Sequence, residues 1–408
     1  MNSSLTSMKI VRSTRRLWLA QTAALGATAY LGSTGWGQDS ATQAAGSKLI
    51  VRQERPFNAE PGLPELVKNY FTPVEQFYVR SHGDVPTVDE KTFRLKISGL
   101  VNRELEFSVD QLKEKFDTHK VAATLTCAGN RRQEMSAIKK VAGVQWDAGA
   151  IGHATWTGAL LSEVLKAAEL KPEAKHVWFD GLDPIKEKDG SEAPFGGSIP
   201  LGKALAHEGR DLPSLLAHSM NDKPLTPAHG APLRSLVPGF IGARSVKWLA
   251  KIVVSDRSSP NHYVAEAYKL IQTDDKEEVA KAEPIYEFPL NVAIGLPTDG
   301  VKLKAGRQEI SGYVLPSGTP NSFCQEIELS VDNGRNWRSV KTLASDPITA
   351  ASTFSWRLWT ANVDILKGRQ TLIARAVDTA GKSTPEQGPW NLKGYMYNAW
   401  HRVRVEGV

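Results

Sequence analysis

The run Thr124-Leu125-Thr126-Cys127-Ala128-Gly129-Asn130-Arg131-Arg132 brings a β-type stretch to a cysteine, turns through small residues and meets two arginines. Nearby cations lower the pKa of a thiol, and the thiolate is both a nucleophile and a soft metal ligand. The same stretch also fits a buried free cysteine beside surface arginines. Cys324, in Ser-Phe-Cys-Gln, has no comparable setting and reads as a packed core thiol. With only two cysteines in the chain, a paired CxxC zinc site, a ferredoxin-type cluster and a CxxCH haem attachment are excluded. A redox group would have to be held in another way.

Three further segments could bind an anion. Tyr78-Val79-Arg80-Ser81-His82 places an arginine and a histidine two apart, so on a strand both project to one face. His229-Gly230-Ala231-Pro232-Leu233-Arg234 adds a second such pair, and Gly242-Ala243-Arg244-Ser245-Val246-Lys247-Trp248 joins a glycine turn to two cations. Each is weak alone, since a lone histidine is more often structural. Together they offer cations and backbone donors to a phosphate or another oxyanion. The net charge of +6 agrees with an anionic substrate or an acidic partner, and no dense Lys/Arg run argues for nucleic acid.

These segments need a framework. The 408 residues, 41% hydrophobic and 23% charged, can build a sizeable core in two or three domains and exclude a disordered chain or a disulfide scaffold. Short strand-like runs recur at 93–97, 121–126, 176–179 and 246–254. The spacing of Leu160, Leu161, Val164, Leu165 and Ala168 predicts a helix. The mixture predicts an α+β domain over residues 55–280. Asp274 to Glu278 reads as a solvated linker or helix end. Beyond residue 285 short β-type runs dominate, at 309–315, 325–331, 353–359 and 370–377. Asp332-Asn333-Gly334 is a hairpin signal among them. This pattern predicts an all-β immunoglobulin-like sandwich over residues 286–408.

Residues 1–38 read as an address label. Lys9, Arg12, Arg15 and Arg16 precede a weakly apolar run, Leu17 to Gly32, and no acid occurs before Asp39. That run is short of the roughly 20 apolar residues a membrane span needs. Thr14-Arg15-Arg16-Leu17-Trp18-Leu19 resembles a twin-arginine export signal, with tryptophan where phenylalanine is usual. It implies a protein folded and loaded in the cytoplasm, then exported to the periplasm, with no membrane span in the mature chain. Residues 39–54 read as a leader, flexible over its small polar part.

Cys127-Ala128-Gly129-Asn130-Arg131-Arg132 also resembles the molybdenum-ligand segment of the sulfite oxidase family. The resemblance continues in order through Trp146 to Ala150, Gly181-Leu182-Asp183, Gly197 to Pro200, His229 to Arg234, Val237-Pro238-Gly239 and Gly242 to Leu249. It ends with Trp356 to Trp359, Pro389 to Leu392 and Asn398 to Val403. It covers about residues 55–408 and implies a molybdopterin domain followed by a sandwich that mediates dimers.

By the same resemblance Cys127 is the one protein ligand to molybdenum. The pterin is held by Tyr78, Val79, Arg80, Ser81, His82, Asp183, His229, Arg234, Ser245, Val246 and Lys247. Arg80, Arg132, Trp146, Tyr268 and Arg402 would line the substrate pocket. The implied reaction is oxidation of sulfite to sulfate, with electrons passed to a c-type cytochrome. The haem domain that precedes the molybdenum domain in animal members has no counterpart ahead of residue 55, so no haem is expected in this chain. A nitrate or sulfoxide reductase on the same scaffold, or a metal-free exported binding module, are the rival readings. Extra residues around Lys186 to Asp189 set the 183–198 loop apart from the family pattern.

Overall fold

The structure, a computed structural model, describes residues 49–186, 190–206, 212–319, 323–343 and 354–408. The twin-arginine segment and most of the expected leader lie outside them, as do residues 187–189 of the 183–198 loop. The last part of the expected leader is not loose chain. Ile50–Gln53 is a strand that pairs antiparallel with Asn58–Glu60.

Two five-stranded sheets organise the first part of the chain. One runs in the order Gly196–Pro200, His176–Asp180, Lys251–Ser255, Leu95–Gly99, Leu105–Phe107, with the Lys251–Ser255 and Leu95–Gly99 pair parallel. The other includes Leu215–Met220, Ile151–Leu160 and Thr118–Thr126 side by side, with Arg234–Leu236 also paired to Leu215–Met220. Helix Leu161–Ala167 follows the apolar spacing of its sequence, burying Leu161, Val164 and Leu165 in the core with Phe179, Ile199 and Ile252. The architecture is the α+β class expected. One expectation was too long: of the 246–254 run only Lys251–Ser255 is strand, and residues before it form an irregular wall in which Trp248 has φ 51°.

The later residues build two sheets. Asn291–Leu296, Gly306–Leu315 and Arg357–Ile365 form one. Val301–Leu303, His401–Gly407, Gly368–Asp378, Cys324–Ser330 and Arg338–Val340 form the other. Val292, Ile310, Trp359 and Val363 of the first share one core with Ile327, Leu372, Val403 and Val405 of the second, which makes a β-sandwich. Asn333 and Gly334 both take positive φ, 62° and 85°, as the Asn-Gly turn signal requires. Asp274 to Glu278 enters helix Lys276–Lys281, where the Asp275 carboxylate accepts from the Glu277 and Glu278 amides. Among the described residues no helix is long and apolar enough to cross a membrane.

Candidate active site

Strand Thr118–Thr126 delivers Cys127 to the edge of its sheet, where the Cys127 amide donates to Ala150 O at 2.9 Å. The chain then turns tightly. Asn130 N donates back to Cys127 O and Arg132 N to Gly129 O, both at 2.9 Å, and helix Arg132–Ile138 begins. Gly129 N lies 3.4 Å from Cys127 Sγ and donates to it. A Cβ at position 129 would stand 2.5 Å from the Arg132 guanidinium, so a side chain there would push the head of that arginine aside. Arg131, fully buried with φ 65°, is locked by a paired contact to Glu134 and by Asn291 Oδ1 at 2.8 Å. The positive-φ residue ahead of the helix is thus tied to the strand that opens the sandwich.

Cys127 opens into a cleft. Tyr78, Arg80, Ser81, His82, Asp183, His229, Arg234, Ser245, Lys247 and Tyr268 line it as well. Segments expected from sequence to bind an anion, distant along the chain, therefore converge. The Lys247 ammonium donates to Ser81 Oγ at 2.7 Å and to Ala228 O at 3.0 Å. Arg234 reaches His229 O and Ser245 O, each at 3.0 Å. Arg80 donates to Asn58 Oδ1 at 3.1 Å and lies within 3.2 Å of both ring nitrogens of His82. His82 Nε2 is 2.8 Å from the Tyr268 hydroxyl.

The cleft carries uncompensated positive charge. Arg80, Arg234 and Lys247 face one carboxylate, Asp183, whose Oδ1 accepts from Phe195 N at 3.1 Å. Burial, and then the neighbouring Arg234 charge, hold the Lys247 ammonium well below the usual lysine range. Burial pushes the Arg234 guanidinium down to about 10, and burial with the Lys247 and Arg234 charges takes His229 down to about 3. Burial and the Arg80 charge likewise keep His82 neutral. Burial raises the Tyr268 phenol, so it is a proton donor at neutral pH. Such a cluster has its natural complement in a polyanion.

Not every expected residue lines this cleft. Arg402 does not reach it: strand His401–Gly407 alternates, so His401 points into the core and Arg402 outward. Arg402 there pairs with Glu386 at 3.0 Å and lies over the Trp400 ring. Trp146 is fully buried in the core cluster that also holds Phe77, Tyr78 and Cys127, and among the described residues its indole N–H finds no hydrogen-bond partner. The Val79 and Val246 side chains are buried, and their backbone groups are already paired with Ala59 and Ser235. Both valines place their neighbours and offer nothing themselves. Arg132 sits at an outer mouth that it shares with Arg80 and His82.

Other residues that build the site carry no signal in sequence. Asn58, fully buried, accepts from Ser81 N at 2.9 Å as well as from Arg80. The buried Glu60 carboxylate accepts from the Asp147 and Gly149 amides beside Trp146. Phe195 stacks on His82, and Tyr395 stacks on Tyr268. The isolated residues Asn58, Glu60 and Phe195 belong to no charged or cysteine-bearing motif, and only the fold brings them near.

Two family models match the chain in sequence: the oxidoreductase molybdopterin binding domain over residues 82–263 and the Mo-co oxidoreductase dimerisation domain over 282–407. A sulfite oxidase of Gallus gallus is 38% identical over 363 residues, covering 87% of this chain and 77% of its own length. One of Arabidopsis thaliana is 36% identical over 375 residues, covering 87% and 93%. The chain belongs to the sulfite oxidase family. It spans 65% of the length of the similar mitochondrial sulfite oxidase of Drosophila melanogaster, at 37% identity over 91% of this chain. Among solved structures, the sulfane dehydrogenase SoxCD of Paracoccus pantotrophus shares the fold, with TM-score 0.73 at 21% identity over 91% of this chain and 93% of its own.

The family's molybdopterin group fits the residues present. Its anionic tail would meet the Lys247 and Arg234 charges, and Asp183 and His229 could hydrogen-bond pterin nitrogens. Cys127 presents a thiol at the same cleft. Among the described residues no group of three or more His, Cys, Asp or Glu side chains could hold a metal by itself. A metal at Cys127 would therefore take its other ligands from outside the chain, as sulfurs of the pterin provide.

Proposed function

We propose that this chain oxidises sulfite to sulfate at the Cys127 cleft. The observation that carries the reading is the meeting, at one cleft, of the Cys127 thiol with Arg80, His82 and Tyr268. Bound molybdopterin supplies the two-electron, oxygen-transfer chemistry. The balance is SO₃²⁻ + H₂O → SO₄²⁻ + 2H⁺ + 2e⁻, so the protein must hold a dianion, admit water and carry protons away. Arg80 and Arg132 bring positive charge to the mouth through which a dianion enters. Cys127 serves as the thiolate ligand, and Lys247, Arg234, Ser245, Asp183, His229, Tyr78 and Ser81 hold the pterin and its tail. Tyr268 donates toward the reacting oxyanion, and neutral His82, 2.8 Å from its hydroxyl, orients it.

The partners follow from the same reading. The electrons leave one at a time to a c-type cytochrome. The chain acts in the periplasm after twin-arginine export, a reading that rests on Arg15 and Arg16. It works as a homodimer through residues 286–408, which the match to a dimerisation family supports. A nitrate reductase of Phaseolus vulgaris, 34% identical over 386 residues, keeps nitrate as the alternative substrate. Steady-state assays with sulfite, nitrate and methionine sulfoxide decide among substrates. Turnover of sulfite alone is expected, and preference for nitrate overturns the assignment.

A further inference from the structure

We infer that Tyr395 is a positioning residue at the mouth of the site, holding Tyr268 and Arg132 in the arrangement that admits a small oxyanion. The inference rests on the proposed sulfite reading for its substrate, but not for its geometry. Tyr395 lies in the segment that joins Trp390 to strand His401–Gly407, over 260 residues beyond Arg132 in the chain. Its ring stacks on that of Tyr268, with centroids 5.1 Å apart and planes at 14°. The Arg132 guanidinium lies over the same ring at 5.1 Å. Tyr395 lines the outer mouth together with Arg80, His82 and Arg132. One ring thus touches two of the residues expected to line the substrate pocket.

The backbone around this ring is fixed to an unusual degree. Asn391 clamps Tyr395 from both sides, accepting from its amide at 3.0 Å and donating to its carbonyl at 2.8 Å. Met396 N donates to Ala128 O at 2.7 Å, one residue beyond Cys127. Arg132 Nε donates to Lys393 O at 3.0 Å. Gly394 and Met396, either side of Tyr395, both have positive φ, 65° and 63°, and a methionine adopts that conformation only when its surroundings enforce it. A Cβ at position 394 would stand 2.7 Å from Arg132 Cγ, so glycine keeps the arginine seated. The segment presents one aromatic face to the site and spends its backbone bonds on the Cys127 turn and on Arg132. The contacts are made by the ring, so phenylalanine should preserve them and alanine should remove them.

The test compares Tyr395→Ala with Tyr395→Phe in two measurements. Crystal structures should show the Tyr268 ring and the Arg132 guanidinium displaced in Tyr395→Ala and unmoved in Tyr395→Phe. At equal molybdenum content, Tyr395→Ala should raise the KM for sulfite about tenfold with a smaller change in kcat, and Tyr395→Phe should restore it. Arg132 and Tyr268 unmoved in Tyr395→Ala, or Tyr395→Phe displacing them equally, would overturn the proposal. If the wild-type enzyme turns over no sulfite, the substrate reading fails by itself, and the crystal structures still decide the role of Tyr395.

Discussion

Replacing Lys247 by methionine separates what the cleft needs to fold from what it needs to function. In the chain without cofactor, Lys247 is a cation surrounded by Arg234 and Arg80, and burial with those charges drives its pKa well down. It makes two hydrogen bonds, to Ser81 Oγ and Ala228 O. Removing it relieves like-charge repulsion and desolvation but takes the donor from both the Ser81 hydroxyl and the Ala228 carbonyl. Two lost hydrogen bonds cost about 2 kcal/mol and the relief opposes that cost, so the cofactor-free chain should lose less than about 2 kcal/mol of stability. With the anionic group bound, the same ammonium makes a buried charge-assisted contact, and its loss should cost about 2–5 kcal/mol of affinity. The assay has two arms: urea unfolding of protein made without molybdate, and molybdenum per chain in protein made with it. Unfolding shifted by less than about 2 kcal/mol, with molybdenum lowered at least tenfold, is expected. Full molybdenum loading in Lys247→Met would refute the tail-binding role, and destabilisation beyond about 3 kcal/mol would show that the lysine is structural.

Arg80→Met should raise the KM for sulfite by about 2 kcal/mol of lost binding, or roughly thirtyfold, while Tyr268→Phe should lower kcat more than it raises KM; steady-state kinetics at matched molybdenum content check both. Asn58→Ala strands the buried Ser81 amide and frees the Arg80 head, so it should cost about 2–4 kcal/mol in denaturant unfolding and raise the KM for sulfite at matched molybdenum content. Fully buried His153 is held down to about 3 by desolvation, with Tyr70, Phe71 and Trp356 as ring neighbours and its Nδ1 2.9 Å from Thr124 Oγ1. Its folded pKa is below the unfolded value near 6.5, so its stability contribution is complete above that pH and is lost as pH falls toward 3, at up to about 1.4 kcal/mol per unit. Unfolding titrations between pH 7 and pH 5 should show that slope reduced in His153→Phe.

Much of the site was legible because its charged and sulfur-bearing residues sit in compact motifs. Cys127 to Arg132, Tyr78 to His82, His229 to Arg234 and Ser245 to Lys247 each carry their chemistry within a few positions, and the fold brings them to one cleft. Parts set by long-range packing were not legible. Arg402 has the right type and a family-like neighbourhood, yet strand alternation turns it outward, and a one-residue register decides that. Tyr395 reaches the mouth because Met396 bonds to Ala128 across the domain junction, which no local pattern encodes. The same holds for Asn58, a single amide that serves two site residues more than twenty positions away. The sandwich was easier to read, since alternation and an Asn-Gly turn are local signals, whereas the Ala- and Gly-rich strand Ile151–Leu160 gave no β-branched run to mark it.

The central claim is that Cys127 anchors a molybdenum centre that oxidises sulfite. Its most direct test is sulfite-dependent reduction of ferricyanide by the purified wild-type protein and by Cys127→Ser, with molybdenum and pterin measured in the same samples. A serine hydroxyl is a harder and much less acidic ligand than a thiol, so the variant should keep its fold and pterin and lose at least about a hundredfold in rate. Wild-type rates in a folded Cys127→Ser protein, or a wild-type protein fully loaded with molybdenum that leaves sulfite untouched, would contradict the account.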